Sequence, residues 1–138
     1  MQTFLPYPNF HDSARVLDNR RLGKQRVETL QILKALSLPT YGWQNHPAVK
    51  MWRGFERGLA VYGVVICNEW LRRGFNDTCL DKIRLYLNVH PTGGTIPPWI
   101  DDEQFCRSHQ SNLIRKDRAH YAPFFPNVPD NLPYVWPN

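Results

Sequence analysis

Asp18, Arg21, Gln25 and Glu28 recur at i, i+3, i+7 and i+10, so a helix through them carries all four on one face with Lys24 beside it. Carboxylates interleaved with arginines suit chemistry on a sugar flanked by phosphates. Glu28 or Asp18 would act on the sugar or on a water, and the guanidinium groups would hold phosphate oxygens. Lys24 has Arg20, Arg21 and Arg26 close by in sequence. Like charges favour the neutral amine that an imine-forming nucleophile needs. His109 is the candidate for proton transfer, because an imidazole titrates near neutrality. It lies in the polar run Ser108-His109-Gln110-Ser111-Asn112, just before Arg115 and Lys116. The same residues also fit plainer roles: a solvated helix face, and a histidine bonded to backbone. Tyr121, Phe124 and Phe125 suit either base stacking or a core.

Charge points to a polyanionic partner. The 138 residues hold seventeen Lys and Arg against twelve Asp and Glu, a net charge of +5, with a pI near 9.3. Arg15, Arg20, Arg21, Lys24 and Arg26 crowd one stretch, and Arg72-Arg73 and Arg115-Lys116-Arg118 form two more clusters. Such charge is compatible with a nucleic acid such as double-stranded DNA, each cluster alone also fits a solvated helix face, and no obligate protein partner is evident. Three widely spaced cysteines and five scattered histidines give no metal-ligand spacing, so no metal and no cofactor are expected. There is no G-x-S-x-G, no phosphate-cradling glycine loop and no H-E-x-x-H. The longest apolar run, Gly58 to Cys67, is too short for a membrane span. A cytoplasmic protein without membrane attachment is expected.

The elements that must position these residues are helical. Residues 1–10 contain two prolines and no helical period, and are expected to form an extended arm. Asp12 or Ser13 can cap a helix running to about Leu36, with Leu17, Val27, Leu30, Leu33 and Leu36 inward. Asn45 or His46 can cap a second helix starting at Pro47, with Trp52, Phe55, Leu59, Tyr62, Ile66 and Trp70 as its core stripe and Gly74 as its stop. Gly54 and Gly58 would strip side-chain bulk from one strip of that helix. Thr78 would cap a third helix with Leu80, Ile83 and Leu87 inward. Residues 91–100 read as a loop, and Asp101 or Asp102 starts a fourth helix to about Lys116. Residues 121–138 hold five prolines and five aromatics and read as an irregular tail packed on the helices. The expected architecture is all-α: one domain over residues 1–138, about four helices, an extended amino-terminal arm and an aromatic, proline-rich tail.

Three stretches resemble the phage-type endonuclease V family, the pyrimidine-dimer DNA glycosylases. N-E-W-L-R-R-G-F-N, Asn68 to Asn76, is similar to the end of that family's central helix. The run from Ser108 to Phe125 shares a serine-glutamine helix start, a leucine three residues before a lysine (Leu113, Lys116) and an aromatic cluster. Arg26-Val27 stands at the family's distance from the amino terminus, and the chain length agrees. The resemblance implies a compact helical fold with the arm threaded between helices, binding across a DNA minor groove, bending of the duplex and extrusion of a nucleotide. It also implies an amino-terminal threonine amine that attacks C1′ of the damaged nucleotide, a glutamate on the first helix that assists, and arginines that hold phosphates. Here position 2 is Gln2, with Thr3 one residue later, and the glutamate's position is Gly23. Asp18 and Glu28 each lie five residues from it, Arg26 and Lys116 match, and Asn112 stands where the family has another arginine.

The resulting expectation is an N-glycosylase of damaged or modified nucleotides in DNA, with or without abasic-site lyase activity. Its catalytic candidates are Glu28, Asp18, Lys24 and His109, and its DNA contacts Arg15, Arg20, Arg21, Arg26, Arg115 and Lys116. With the nucleophile displaced, water activated by Glu28 is expected to release the base, and imine trapping is expected to be weak. The rivals are a non-catalytic DNA-binding module of the same fold and a nucleoside hydrolase.

Overall fold

The first residues run extended, yet they lie inside the protein: Gln2, Thr3, Phe4 and Leu5 are all buried. The computed structural model describes residues 1–89 and 96–137. In these, seven α-helices and one 3-10 turn follow the arm, and no strand occurs among the described residues. The all-helical expectation holds.

Several elements begin or end elsewhere than the periodicity alone suggests. The first long helix is two. α1 spans Phe10–Val16 and α2 spans Asn19–Ser37, with extended Leu17 and Asp18 between them. Asn9 caps α1 by accepting from the Asp12 N–H at 3.0 Å. Ser13, expected as a cap, instead bonds Tyr7, accepting from its N–H at 3.1 Å and donating to its carbonyl at 3.0 Å. The inward face of α2 runs through Leu22, Gln25 and Thr29 to Ile32 and Leu33, because Gln25 turns onto the buried arm. Val27, expected inward, is 45% exposed, while Leu22, Ile32 and Leu33 are fully buried.

The second helix also divides, into α3 (Pro47–Lys50) and α4 (Glu56–Arg72). His46 caps α3 through Nδ1, which accepts from the Ala48 N–H at 3.0 Å. Gly54 has φ +89° and belongs to the intervening turn, not to a smooth helical strip. Beyond α4, Gly74 has φ +92° and its N–H donates to Leu71 O at 2.9 Å, the left-handed stop that glycine permits. α5 spans Leu80–Val89. Its first N–H groups are held not by Thr78 but by Asp77, whose Oδ2 accepts from Cys79 at 3.0 Å and Leu80 at 2.7 Å.

Of the loop expected over 91–100, residues 91–95 lie outside the described residues, and the rest includes a 3-10 turn at Pro98–Asp101. α6 follows at Glu103–Lys116, capped by Asp102, and α7 is one turn at Arg118–Tyr121. The tail after it has no regular structure and packs Phe125, Tyr134 and Trp136 against the core.

α4 is the hub, packed on α1, α2 and α5. Its stripe of Leu59, Tyr62 and Ile66 is fully buried beside Trp52. The close approach comes at Gly63, where an added Cβ would lie 2.8 Å from Thr29 Cγ2 and 3.1 Å from Ile83 Cδ1. Three helices meet over that missing side chain. Gly63→Ala is therefore expected to cost about 1–3 kcal/mol by forcing them apart, measured as a lower urea midpoint. Unchanged stability would mean that the α2–α4–α5 junction yields freely.

Candidate active site

The arm has no strand or helix to pair with, so side chains must satisfy its buried peptide groups. Gln25, on α2 and itself buried, uses both ends of its amide for this. Its Oε1 accepts from the Phe4 N–H at 2.9 Å, and its Nε2 donates to Gln2 O at 2.9 Å. Tyr62 OH lies 2.8 Å from both Gln25 Oε1 and Phe4 O. Trp52 Nε1 donates to Thr3 Oγ1 at 3.0 Å. From the other side, α6 receives the Leu5 N–H on His109 Nδ1 at 2.9 Å, and Gln110 Nε2 donates to Pro6 O at 2.7 Å. The arm is thus clamped between α2 and α4 on one side and α6 on the other, as a threaded arm should be.

Gln25 has one donation left, and it goes to Glu28 Oε2 at 3.0 Å. Glu28 is half-buried one turn further along α2. It faces a cleft of about 380 Å³ lined by Met1, Lys24, Glu28, Lys116, the arginines at 20 and 21 and the Tyr134 ring. The arm brings Met1 to this cleft, α2 supplies Lys24 and Glu28, and α6 ends there with Lys116. One carboxylate therefore sits among amines and guanidinium groups in a concave site large enough for a nucleotide fragment. Lys116 is exposed overall. Partial burial of its ammonium, followed by the neighbouring Arg21 and Lys24 charges, nevertheless pushes its pKa below the ordinary lysine value.

The cleft gathers Arg20, Arg21, Lys24, Glu28 and Lys116 of the sequence candidates and leaves the others out, each for a physical reason. Asp18 stands at the N-cap position of α2, but its side chain makes no capping bond. Its carboxylate takes the Tyr121 hydroxyl and Arg21 Nη1, the latter at 3.3 Å, while its own N–H donates to Tyr121 OH at 2.9 Å. His109 is fully buried among Phe4, Phe105 and Tyr134, where desolvation lowers its pKa to about 3. Neutral at any ordinary pH, it anchors the arm. Arg26 points away, paired with Asp77 at 2.5 Å and lying 4.4 Å over the Trp70 ring. Arg115 holds the tail through Asp130 O at 2.5 Å and Leu132 O at 3.1 Å. Arg15 is exposed beyond the α1–α2 break, beside Arg72 and Arg73.

Gly23, the position matched to the family's glutamate, is occupied from outside. A Cβ there would meet Trp70 Cη2 at 3.0 Å and Cζ3 at 3.1 Å, so the indole covers that point of α2. The carboxylate reaching the cleft is Glu28 instead. Spacing shows Gln25 only as a member of the polar face. Its role as a clamp, and the places of Met1 and Tyr134 in the cleft wall, depend on chain segments distant in sequence.

A family model described as pyrimidine dimer DNA glycosylase matches residues 1–83. No curated protein and no solved structure matches the chain. The matched segment contains the arm, Lys24, Gln25 and Glu28; Lys116 and Tyr134 lie beyond it.

Gln25→Leu keeps the volume but strands Gln2 O, the Phe4 N–H and Glu28. A loss of about 2–4 kcal/mol is expected by urea unfolding, whereas Glu28→Gln, at the solvent end of the network, should cost under ~1 kcal/mol. Similar values for the two would refute the clamp.

His109 gives a pH test. Its folded pKa of about 3 lies below the ordinary value of 6.5, so the unfolded chain binds the extra proton. Its contribution is complete above pH ~6.5 and is lost as pH falls towards ~3, by up to about 1.4 kcal/mol per unit. His46 is shifted in the same direction, so the comparison needed is with His109→Asn, which should lose less stability between pH 7.5 and 4.5 than the wild type. Parallel curves would contradict it.

Proposed function

The chain belongs to the pyrimidine dimer DNA glycosylase family, and on that premise we propose that it is a DNA N-glycosylase of damaged or modified nucleotides whose active site is the cleft at Glu28. The observation that carries this reading is the meeting, in one cleft, of a carboxylate tethered by Gln25 with the cationic side chains of Arg20, Arg21, Lys24 and Lys116. Cleavage of an N-glycosidic bond builds positive charge on the sugar, which a fixed carboxylate stabilises, while the cations hold the flanking phosphates. A nucleotide within a duplex cannot reach such a cleft, so it must be extruded first.

In the proposed step Glu28 removes a proton from a water whose oxygen bonds to C1′. The C1′–N bond breaks with its electron pair on the base, the sugar retains the hydroxyl, and the proton taken up by Glu28 passes through solvent to the departing base, which restores the carboxylate. Water is assigned the attack because Gln2 displaces the amine nucleophile of the family by at least one residue, while Glu28 is already oriented by the Gln25 amide. Met1, Lys24 and Lys116 are the amines in reach that would replace water if the enzyme were also a lyase. Among the lysines, Lys116 is the one whose lowered pKa favours that role.

The test is base release from a duplex carrying a pyrimidine dimer or another damaged base, with borohydride present in parallel. Base release by the wild type, reduced about 100-fold or more by Glu28→Gln, with little covalent adduct, is the expected outcome. An efficient adduct mapped to Met1, Lys24 or Lys116 would replace the water step with amine attack. Binding without release from any damaged duplex would leave a DNA-binding module. Affinity should also fall steeply with salt, and Arg20→Ala with Arg21→Ala should lower the slope of log K against log salt by about one for each phosphate no longer neutralised. No association at low salt would refute the DNA reading.

A further inference from the structure

Trp43 holds a large apolar ring in water on a backbone that resists it. Its φ is +71°, in the left-handed region that bulky residues rarely adopt, and it is 58% exposed. Glycine would take this backbone without strain, and burial repays little of the cost. The loop is nevertheless firmly built. The Gln44 amide lies within hydrogen-bonding distance of three carbonyls, Ala35 at 2.6 Å, Leu38 at 2.9 Å and Tyr41 at 3.0 Å. The His46 N–H donates to Trp43 O at 3.0 Å. A strained residue over-determined by its surroundings and presenting its side chain outward points to a use outside the fold.

The ring is continuous with the cleft. Trp43 meets His46 edge-to-face at 5.9 Å, His46 meets Trp136 in the same manner at 6.1 Å, and Trp136 lies 5.5 Å from Tyr134, which walls the cleft. Burial, and then the positive charge at the amino terminus, lowers the pKa of His46, so the row is uncharged near neutral pH. An edge-to-face arrangement covers at most one face of the indole. Beside a cationic cleft, the ligand with a flat apolar face and an attached phosphate is a nucleotide. Bases within a duplex have both faces covered by their neighbours; only an unpaired base offers one.

We propose that Trp43 is a stacking platform for an unpaired nucleobase of the DNA held at the cleft, with His46 and Trp136 as its support. This rests on the DNA glycosylase reading and adds to it the feature of bound DNA that is recognised outside the cleft.

The test compares binding of Trp43→Ala, Trp43→Gly and Trp43→Phe to two duplexes of equal length, one fully paired and one with a single unpaired base. The wild type should prefer the second. Trp43→Ala and Trp43→Gly should lose about 10-fold on it while staying within about twofold of wild type on the paired duplex, and Trp43→Phe should keep most of the preference. Trp43→Gly, relieved of strain, should melt no lower than wild type, which separates lost stacking from lost folding. Equal losses on both duplexes, or none on either, would overturn the platform while leaving the glycosylase reading intact. Absence of wild-type binding to either duplex would overturn both.

Discussion

An extended segment can be buried only if each peptide N–H and C=O along it finds a partner, and the amino-terminal arm has neither helix nor strand to supply one. The structure supplies such partners as side chains from opposite sides. Gln25 uses both ends of its amide on Gln2 and Phe4, while His109 and Gln110 receive Leu5 and Pro6 from α6. The arm thereby joins the α2–α4 layer to α6. The tail is satisfied in the same way. Ser108 Oγ and Ser111 Oγ accept from Val135 and Leu132, and Asn112 donates to Leu132 O at 3.1 Å. This explains why α6 is so polar and yet so buried: its hydroxyls and amides substitute for the strand partners that two irregular segments lack.

The position of the cleft follows from the same constraint. Gln25 lies one turn before Glu28, so the side chain that pins the arm also orients the carboxylate, and the pinned arm delivers Met1 beside it. α2 and the end of α6 add cations around a single acid. Concentrated positive charge raises the local field for a phosphate backbone, which suits the DNA substrate of this family.

The far side of α2 is closed by a different set of interactions. Arg26 lies between the Asp77 carboxylate and the Trp70 indole, and Asp77 also caps α5. At the end of α4, Arg72 donates two hydrogen bonds to the Glu69 carboxylate and Arg73 donates a third. Arg72 foremost, with Arg73, holds the Glu69 pKa down at about 2 against the opposing effect of burial. Arg73 reaches on to Ala14 O and Arg15 O, tying α4 to the α1–α2 break. These arginines are engaged within the fold, whereas Arg20 and Arg21 line the cleft.

The sequence by itself determined the all-helical class, the Leu59, Tyr62 and Ile66 stripe of α4, the stop at Gly74 and the basic character of α2, and it narrowed two caps to Asn45 or His46 and to Asp101 or Asp102. Each of these rests on interactions within a few residues, where periodicity and side-chain type suffice. Tertiary structure decided which polar residues meet solvent and which meet backbone. Spacing puts Asp18, Arg21, Gln25 and Glu28 on one face, but it cannot show that the chain breaks at Leu17, that Tyr121 engages Asp18, or that the arm covers Gln25 and stops short of Glu28. His109 has the composition of a proton donor and the surroundings of a core residue, and its partners lie more than a hundred positions back and in the tail. Burial and charge fields are set by segments remote in sequence, so the surroundings of each candidate residue were decided only when the arm and the tail closed around them.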